Sequence, residues 1–181
     1  MVLVKLLTQN FINQVGEIKD TEYVLLKVKN IVEWLCDISA RKPNLLIFGN
    51  AGSGKSTMAK AMQEMFYQSQ YATKTRAISA KDIGDIYRNR LEKESWNRIN
   101  TDLTSILFVD DFGMEEDVVR QYGDKAQPMA MLIHNRYEKK LPTIITTNLS
   151  AEEMAKKYDD RIMDRLNGYA RLSYTHISFR R

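Results

Sequence analysis

Apolar residues along the chain alternate between short runs and stretches of helical periodicity. The short runs are bounded by polar or turn-forming residues, which is typical of strands buried on both faces. Between the runs, apolar residues recur at the three- and four-residue spacing of a helix with one buried face. Strands that alternate with helices favour an α/β fold with three layers, a parallel sheet of about five strands and helices on both of its faces. The predicted strands are 45–48, 75–78, 105–110, 142–147 and 170–179.

The predicted helices fill the intervals between these strands. Leu91 is expected on the inward face of one of them, and Pro128 in the first turn of another. Residues 1–19 carry scattered apolar residues without a clear period, so no element is predicted there. The predicted helices are 21–39, 54–67, 79–95, 125–140, one that begins after Ser150, and 159–166.

Composition and charge narrow the class of protein. With 181 residues, 44% of them hydrophobic, the chain suits a lead-in over 1–21 and one domain over 22–181. No apolar stretch approaches the roughly 20 residues of a membrane span, so we expect a cytoplasmic protein without membrane contact. The net charge of +4 permits nucleic-acid contact without requiring it. Cys36 is the single cysteine, and it shares no metal-ligand spacing with His134 or His176.

A glycine-rich segment with the pattern G-x-x-x-x-G-K-[ST] follows the first buried run. Its glycines let backbone N–H groups approach a polyphosphate, and the helix that follows points its positive end at the same place. Lys55 would reach the outer phosphates and the Ser56 hydroxyl would bind Mg²⁺. We therefore expect a nucleoside-triphosphate site. Its residues are Gly49, Asn50, Ala51, Gly52, Ser53, Gly54, Lys55, Ser56 and Thr57.

Polar residues end two further buried runs. Asp110 follows four apolar residues, at the strand end where sites collect in open α/β sheets, and it would hold Mg²⁺ through water. Asp111 would orient or deprotonate an attacking water, and Asn148 would hydrogen-bond that water or the γ-phosphate. The competing interpretations are an acidic turn that caps a strand and a turn-forming Asn before a helix.

Two basic features have open interpretations. Arg161 and Arg165 are four residues apart and so share a helix face, which fits either a solvated surface or an arginine finger that acts in a neighbouring subunit. Residues 87–98 combine basic and aromatic side chains, as a surface for single strands would, but an ordinary amphipathic helix explains them equally well.

The motifs GNAGSGKST, LFVDDFG, TIITTNLS and DRIMDRL, in this order, resemble those of the AAA+ ATPases of the DnaC/DnaI helicase-loader and IstB transposition-helper family. The likeness covers residues 22–179. It implies a cytoplasmic AAA+ ATPase with ATP and Mg²⁺ as ligands, which forms a homo-oligomer on ATP and single-stranded DNA. The implied partner is a replicative helicase, or a transposase if the IstB likeness holds.

The resemblance also implies a role for each matching residue. Lys55 and Ser56 take the places of the Walker A lysine and Mg²⁺ ligand, and Asp110 takes that of the Walker B acid. Asp111 stands where many AAA+ proteins have the catalytic Glu. Asn148 matches the residue called sensor 1.

The remaining correspondences are less complete. Arg165 matches the arginine finger of the family best, with Arg161 as the second choice, and Arg180 is a weak match to the sensor 2 arginine. The family usually has a helicase-docking module before this domain. The lead-in over 1–21 is interpreted as a remnant of that module, and the alternatives are that the module is absent or that the sequence is truncated.

Two other functions remain open from the sequence. A P-loop kinase of nucleotides or small molecules would explain the phosphate loop, but it needs an arginine-rich lid and an acceptor pocket that the sequence does not indicate. A switch that binds ATP without hydrolysing it is the other, since Asp111 is one methylene shorter than Glu. The pair of acids with Asn148 favours water as the acceptor, and the shorter Asp111 fits slow ATP hydrolysis. The resemblance implies that this hydrolysis is completed at subunit interfaces.

Overall fold

The fold is built on a five-stranded parallel sheet, described here from a computed structural model that covers residues 2–18, 20–36, 43–69, 74–121 and 123–175. The strands are β1 (Leu45–Gly49), β2 (Lys74–Ser79), β3 (Ser105–Phe112), β4 (Val119–Gln121), β5 (Asp124–Ala126), β6 (Thr143–Thr147) and β7 (Ala170–Tyr174). The helices are α1 (Val2–Val15), α2 (Thr21–Cys36), α3 (Lys55–Gln68), α4 (Ile83–Arg88), α5 (Ser95–Asn100), α6 (Pro128–Glu138), α7 (Ala151–Lys157) and α8 (Asp160–Asn167). A short 3-10 helix, Ala80–Asp82, precedes α4.

The strand order in this sheet is β2-β3-β6-β1-β7, while β4 and β5 form a separate antiparallel hairpin. The predicted parallel sheet is therefore confirmed. Because all five strands of the sheet run the same way, the carboxyl ends of β1, β3 and β6 meet at one edge. That edge carries the glycine-rich segment and the polar residues that end β3 and β6.

Alternate residues of each strand face opposite layers of helices. Leu45 and Ile47 of β1 pack with the buried faces of α1, α2 and α3. Leu46 between them packs on the other face, with buried residues of α4 to α8. The same alternation holds for Phe108 and Val109 of β3, so both sheet faces are covered, as the sequence pattern predicts.

The first helix, α1, lies where no element was predicted. Leu7 and Phe11 are buried in the core that α1 shares with α2 and α3. Asn10 is buried as well, and its amide donates to the Gln68 side chain at 3.2 Å. The order in α1 therefore depends on contacts with α3, far along the chain, rather than on a strong local pattern.

The helix predicted over 79–95 is wrong, because two separate helices, α4 and α5, occupy that stretch. Asn89 ends α4 by donating its side-chain amide to the carbonyl oxygen of Asp85 at 2.8 Å. Leu91, predicted to face inward, lies in the turn that follows and is 79% exposed. Apolar spacing typical of a helix continues through the turn, so the pattern alone did not reveal the break.

The helix predicted over 125–140 begins too early. Lys125 belongs to β5, and the tight β4–β5 hairpin includes Gly123 in the left-handed region, at a φ of 88°. Pro128 is the first residue of α6, where its fixed φ and missing N–H cost nothing. Proline was thus the better sign of the helix start.

The other predicted elements agree with the structure to within a few residues. The predicted ends of the helix over 21–39 and of the strand over 170–179 reach beyond the described residues, as do His176 and Arg180. None of the described helices is long and apolar enough to cross a bilayer.

Candidate functional site

The glycine-rich segment forms a loop between β1 and α3 whose backbone only glycine adopts readily. Gly49, Gly52 and Gly54 have φ values of 143°, 78° and 92°. A Cβ built on Gly49 would lie 1.8 Å from the carbonyl oxygen of Tyr174, so a side chain there is excluded. The same oxygen accepts from the backbone N–H of Asn50 at 3.1 Å. Strand β7 therefore anchors the entrance of the loop.

Lys55 lies at the start of α3, and its side chain folds back into the loop. Its ammonium group donates to the carbonyl oxygens of Gly49 at 2.9 Å and Asn50 at 2.6 Å. The residue is only 5% exposed. A cation held inside a loop of turned backbone, beside the first N–H groups of a 14-residue helix, fits a polyphosphate.

Ser56 and Asp110 meet where α3 passes the end of β3. The Ser56 hydroxyl donates to a carboxylate oxygen of Asp110 at 2.7 Å. A hydroxyl and a carboxylate are the oxygen donors that Mg²⁺ takes in phosphate sites, where waters and phosphate complete its coordination. The residues present thus fit Mg²⁺, with Ser56 and Asp110 as the groups that would hold it. Among the described residues, no cluster of three or more His, Cys, Asp or Glu side chains forms a second metal site.

Thr146 of β6 is a member of this site that the sequence analysis missed. Its hydroxyl hydrogen-bonds to the Asp110 carboxylate and accepts the backbone N–H of Asp111 at 3.1 Å. One buried hydroxyl therefore fixes both acids. Threonine hydroxyls in the predicted buried strand 142–147 were the available signal, but only the pairing of β3 with β6 shows that Thr146 lies opposite the two acids.

Asp111 has an unusual backbone conformation for a residue with a side chain. Its φ is 56°, and the pairing of β3 with β6 shifts register between Val109 and Phe112. Such strained positions persist where the surrounding structure enforces them and are common at functional sites. The Asn148 amide donates to the Asp111 carboxylate at 3.4 Å, so the structure brings together the two residues predicted to act on water.

The turn that follows β3 is tied to the α7–α8 junction by a buried carboxylate. Glu115 has a side chain only 2% exposed, and its carboxylate accepts the backbone N–H of Gly113 at 2.9 Å and the hydroxyl of Tyr158. The Tyr158 ring stacks on Phe112, with ring centroids 4.7 Å apart. Burial, and then the nearby Glu115 charge, raises the pKa of Tyr158 well above its ordinary value, so the phenol stays a proton donor.

Arg161 and Arg165 lie together on α8, as predicted, and both approach α6. Arg165 donates to His134 at 2.9 Å and to Glu138 at 2.9 Å, and its side chain is only 14% exposed. Arg161 is exposed and approaches the other ring nitrogen of His134 at 3.4 Å. Arg161 is thus the more accessible of the two guanidinium groups.

The basic and aromatic stretch over 87–98 is divided between core and surface. Trp96 is 7% exposed and packs edge-on against Tyr87. Arg88 pairs with Asp85 and Glu116, and Arg98 pairs with Glu94. Trp96 is therefore part of the core, and Tyr87 is partly buried against the same cluster. These contacts favour an ordinary structural role for the stretch, with a charged outer face, although α4, a turn and α5 share it instead of one helix.

Comparison with known proteins gives a sequence family and a fold. A sequence model of the RNA helicase family matches residues 45–159, from the start of β1 to the residue before α8. That is more than half of the 181 residues. A search of curated proteins finds no match.

Solved structures of replication proteins share the fold. The DnaC helicase loader matches with a TM-score of 0.68 and 20% identity, over 90% of this chain and 96% of its own. DnaI matches with a TM-score of 0.63 and 19% identity, over 91% and 87%. The replication initiator DnaA, bound to AMPPCP and single-stranded DNA, matches with a TM-score of 0.65 and 15% identity, over 94% of this chain but half of its own. The predicted three-layer α/β fold, with a parallel sheet and a phosphate loop, is thereby confirmed.

Proposed function

The chain belongs to the RNA helicase family of P-loop proteins, and from this premise we propose that it is a AAA+ ATPase that converts ATP and water to ADP and phosphate. The observation that carries the proposal is the cluster at one sheet edge. There, Asp110, Asp111 and Asn148 lie within hydrogen-bonding reach of Thr146 or of one another, beside the phosphate loop. This arrangement suits a water molecule placed against a bound triphosphate.

Each residue of the cluster has a distinct task in the proposed reaction. The phosphate loop and Lys55 would hold the triphosphate, and Ser56 and Asp110 would hold Mg²⁺, which when bound would draw negative charge from the outer phosphates. Asp111 orients the attacking water and accepts its proton. Asn148, which donates to Asp111, keeps that carboxylate aimed at the water.

We further propose that two subunits complete each site. The guanidinium of Arg161 is exposed on α8 and is free of carboxylate partners among the described contacts, whereas Arg165 is held by Glu138 and His134. In this arrangement Arg161 reaches the triphosphate of a neighbouring subunit, and Arg165 positions α8. The sequence resemblance favoured the opposite assignment, so both residues enter the test.

The proposed macromolecular ligand is a single nucleic-acid strand, with a helicase as protein partner. The likeness to a DnaA structure with single-stranded DNA supports DNA, and the likeness to the DnaC loader supports a helicase partner. The family match favours RNA as the second candidate strand. A transposase, as for an IstB-like helper, is the alternative protein partner.

One observation favours a second function, phosphoryl transfer to a small molecule. A cavity of about 470 Å³ opens beside Ser56 and Asp110, between α3, β2 and α4. Its lining includes Lys60, Gln63 and Asp82, whose polar ends could contact an acceptor. A kinase would phosphorylate an added acceptor and release little free phosphate, so the product of the reaction separates the two functions.

The proposed function is tested by phosphate release per subunit at increasing protein concentration, with and without single-stranded DNA or RNA. We expect the rate to rise with concentration and to respond to one of the strands. Arg161→Ala should lower the rate about 100-fold or more while ATP binding is kept, since an arginine finger is worth roughly 10³–10⁵ in kcat. Arg171→Ala, an exposed arginine of β7, is the matched control.

Mixing variants shows whether the arginine acts in trans. Arg161→Ala and Lys55→Met each lack one half of the proposed shared site, so their mixture should regain part of the lost turnover. A mixture as inactive as its components would contradict a shared site. Loss of turnover in Arg165→Ala alone, with Arg161→Ala unaffected, would exchange the two roles.

A further inference from the structure

Glu115 is a buried acid outside the set of residues that would contact ATP or Mg²⁺. Its carboxylate receives the backbone N–H of Gly113, two residues beyond Asp111, and the hydroxyl of Tyr158. Lys157 lies 4.0 Å away and donates to the Glu115 carbonyl oxygen at 3.3 Å. All of these partners belong either to the turn after β3 or to the α7–α8 junction.

Two residues in the left-handed region lie on either side of Phe112, where β3 leads into the turn that Glu115 holds. Asp111 has a φ of 56° and Gly113 a φ of 101°. A Cβ on Gly113 would lie 2.3 Å from the Leu149 side chain, so the turn also packs closely against the segment that follows Asn148. Because a strained turn relaxes when its hydrogen bonds are removed, the contact from Glu115 bears directly on where Asp111 points.

The stability of the fold does not require a carboxylate between the turn after β3 and the α7–α8 junction. The apolar contact between Phe112 and Tyr158 already joins the turn to the α7–α8 junction. Burial of a carboxylate carries a desolvation cost that only good hydrogen bonds offset. The Glu115 carboxylate accepts hydrogen bonds from one backbone N–H and one phenol. These two directional contacts fix the orientation of the turn, which an apolar contact would not do.

We propose that Glu115 is a positioning residue for hydrolysis, which holds the Asp111 turn in register with α8 through Gly113 and Tyr158. This inference rests on the proposed ATPase function. It also assigns a role to Tyr158, whose hydroxyl links the turn after β3 to the start of α8, the helix that carries Arg161. Glu115 itself contacts neither nucleotide nor metal in this account.

The test compares Glu115→Gln with Glu116→Gln in steady-state ATP hydrolysis. Gln keeps the size of the side chain and an acceptor for Gly113 but loses the charge. We expect kcat to fall roughly 10- to 100-fold, as small misplacements of catalytic groups do, with KM and the melting temperature nearly unchanged. Glu116, an exposed neighbour that pairs with Arg88, should show wild-type kinetics after the same change.

Tyr158→Phe provides the second arm, because it keeps the ring that stacks on Phe112 and removes only the hydroxyl. It should lower kcat in the same direction, and the double variant Glu115→Gln/Tyr158→Phe should lose less than the product of the two single effects. Equal kcat in wild type and Glu115→Gln, or a change in KM alone, would overturn the inference. Absence of turnover in the wild type would instead overturn the proposed function, and the inference with it.

Discussion

A Lys55→Met variant is expected to bind ATP about 100-fold more weakly than the wild type, because each hydrogen bond from a charged donor contributes roughly 1.5–3 kcal/mol. In the structure the Lys55 ammonium already lies inside the loop, bonded to two of its carbonyl oxygens. The triphosphate would take over those contacts with a full negative charge. Met keeps most of the apolar stem and removes the cation.

Titration with a fluorescent ATP analogue in the presence of Mg²⁺ measures this effect. Lys60→Met is the matched control, since Lys60 lies on the same helix, is exposed and should leave the dissociation constant unchanged. An unchanged dissociation constant in Lys55→Met would show that the loop does not hold the phosphates.

The largest expected effect on stability comes from Arg136, which the sequence analysis did not single out. This arginine is fully buried in α6, and its guanidinium donates to the Thr143 hydroxyl and to three backbone carbonyl oxygens, those of Ile99, Ser105 and Pro142. Burial lowers the pKa of Arg136 to about 10. One side chain thus joins α5, β3 and β6 at the sheet edge opposite the candidate site.

Arg136→Met should lower the free energy of unfolding by about 3–5 kcal/mol, because it leaves several buried acceptors without donors. Arg136→Lys should recover only part of the loss, since an ammonium group cannot reproduce the planar fork. Lys139→Met, on the exposed end of the same stretch, should unfold as the wild type does. Denaturant unfolding measures all three, and a wild-type midpoint for Arg136→Met would contradict the assigned role.

The sequence predicted those parts of the site whose signals are local. The phosphate-loop motif is nine consecutive residues that run from the end of a buried strand into a helix, and Asp110 and Asp111 directly follow an apolar run. Because the strands are parallel, their carboxyl ends meet at one edge of the sheet, so the strand pattern alone predicts that these residues lie close together. The capping box of α7, with Ser150 and Glu153 bonded reciprocally, is local in the same way.

The residues missed by the sequence analysis depend on partners far along the chain. Thr146 is distinguished by its position opposite the acids of β3, and Glu115 by its contact with Tyr158, 43 residues away. In the sequence, Arg136 is indistinguishable from any other charged residue of a helix. Its role becomes visible only in the structure, which shows the carbonyl oxygens around it. A single sequence gives residue types and their spacing, but it does not show which residues of distant strands pair with each other.

Phosphate release from Mg²⁺ and ATP by the wild type and by Asp111→Asn, with ATP binding measured on the same samples, tests the central claim most directly. Asn keeps the size of the side chain and loses the base that accepts the proton of water. We predict that the wild type turns over and that Asp111→Asn binds ATP normally while its turnover falls about 100-fold or more. Equal turnover in the two proteins, or a wild type that binds ATP without releasing phosphate, would contradict the account.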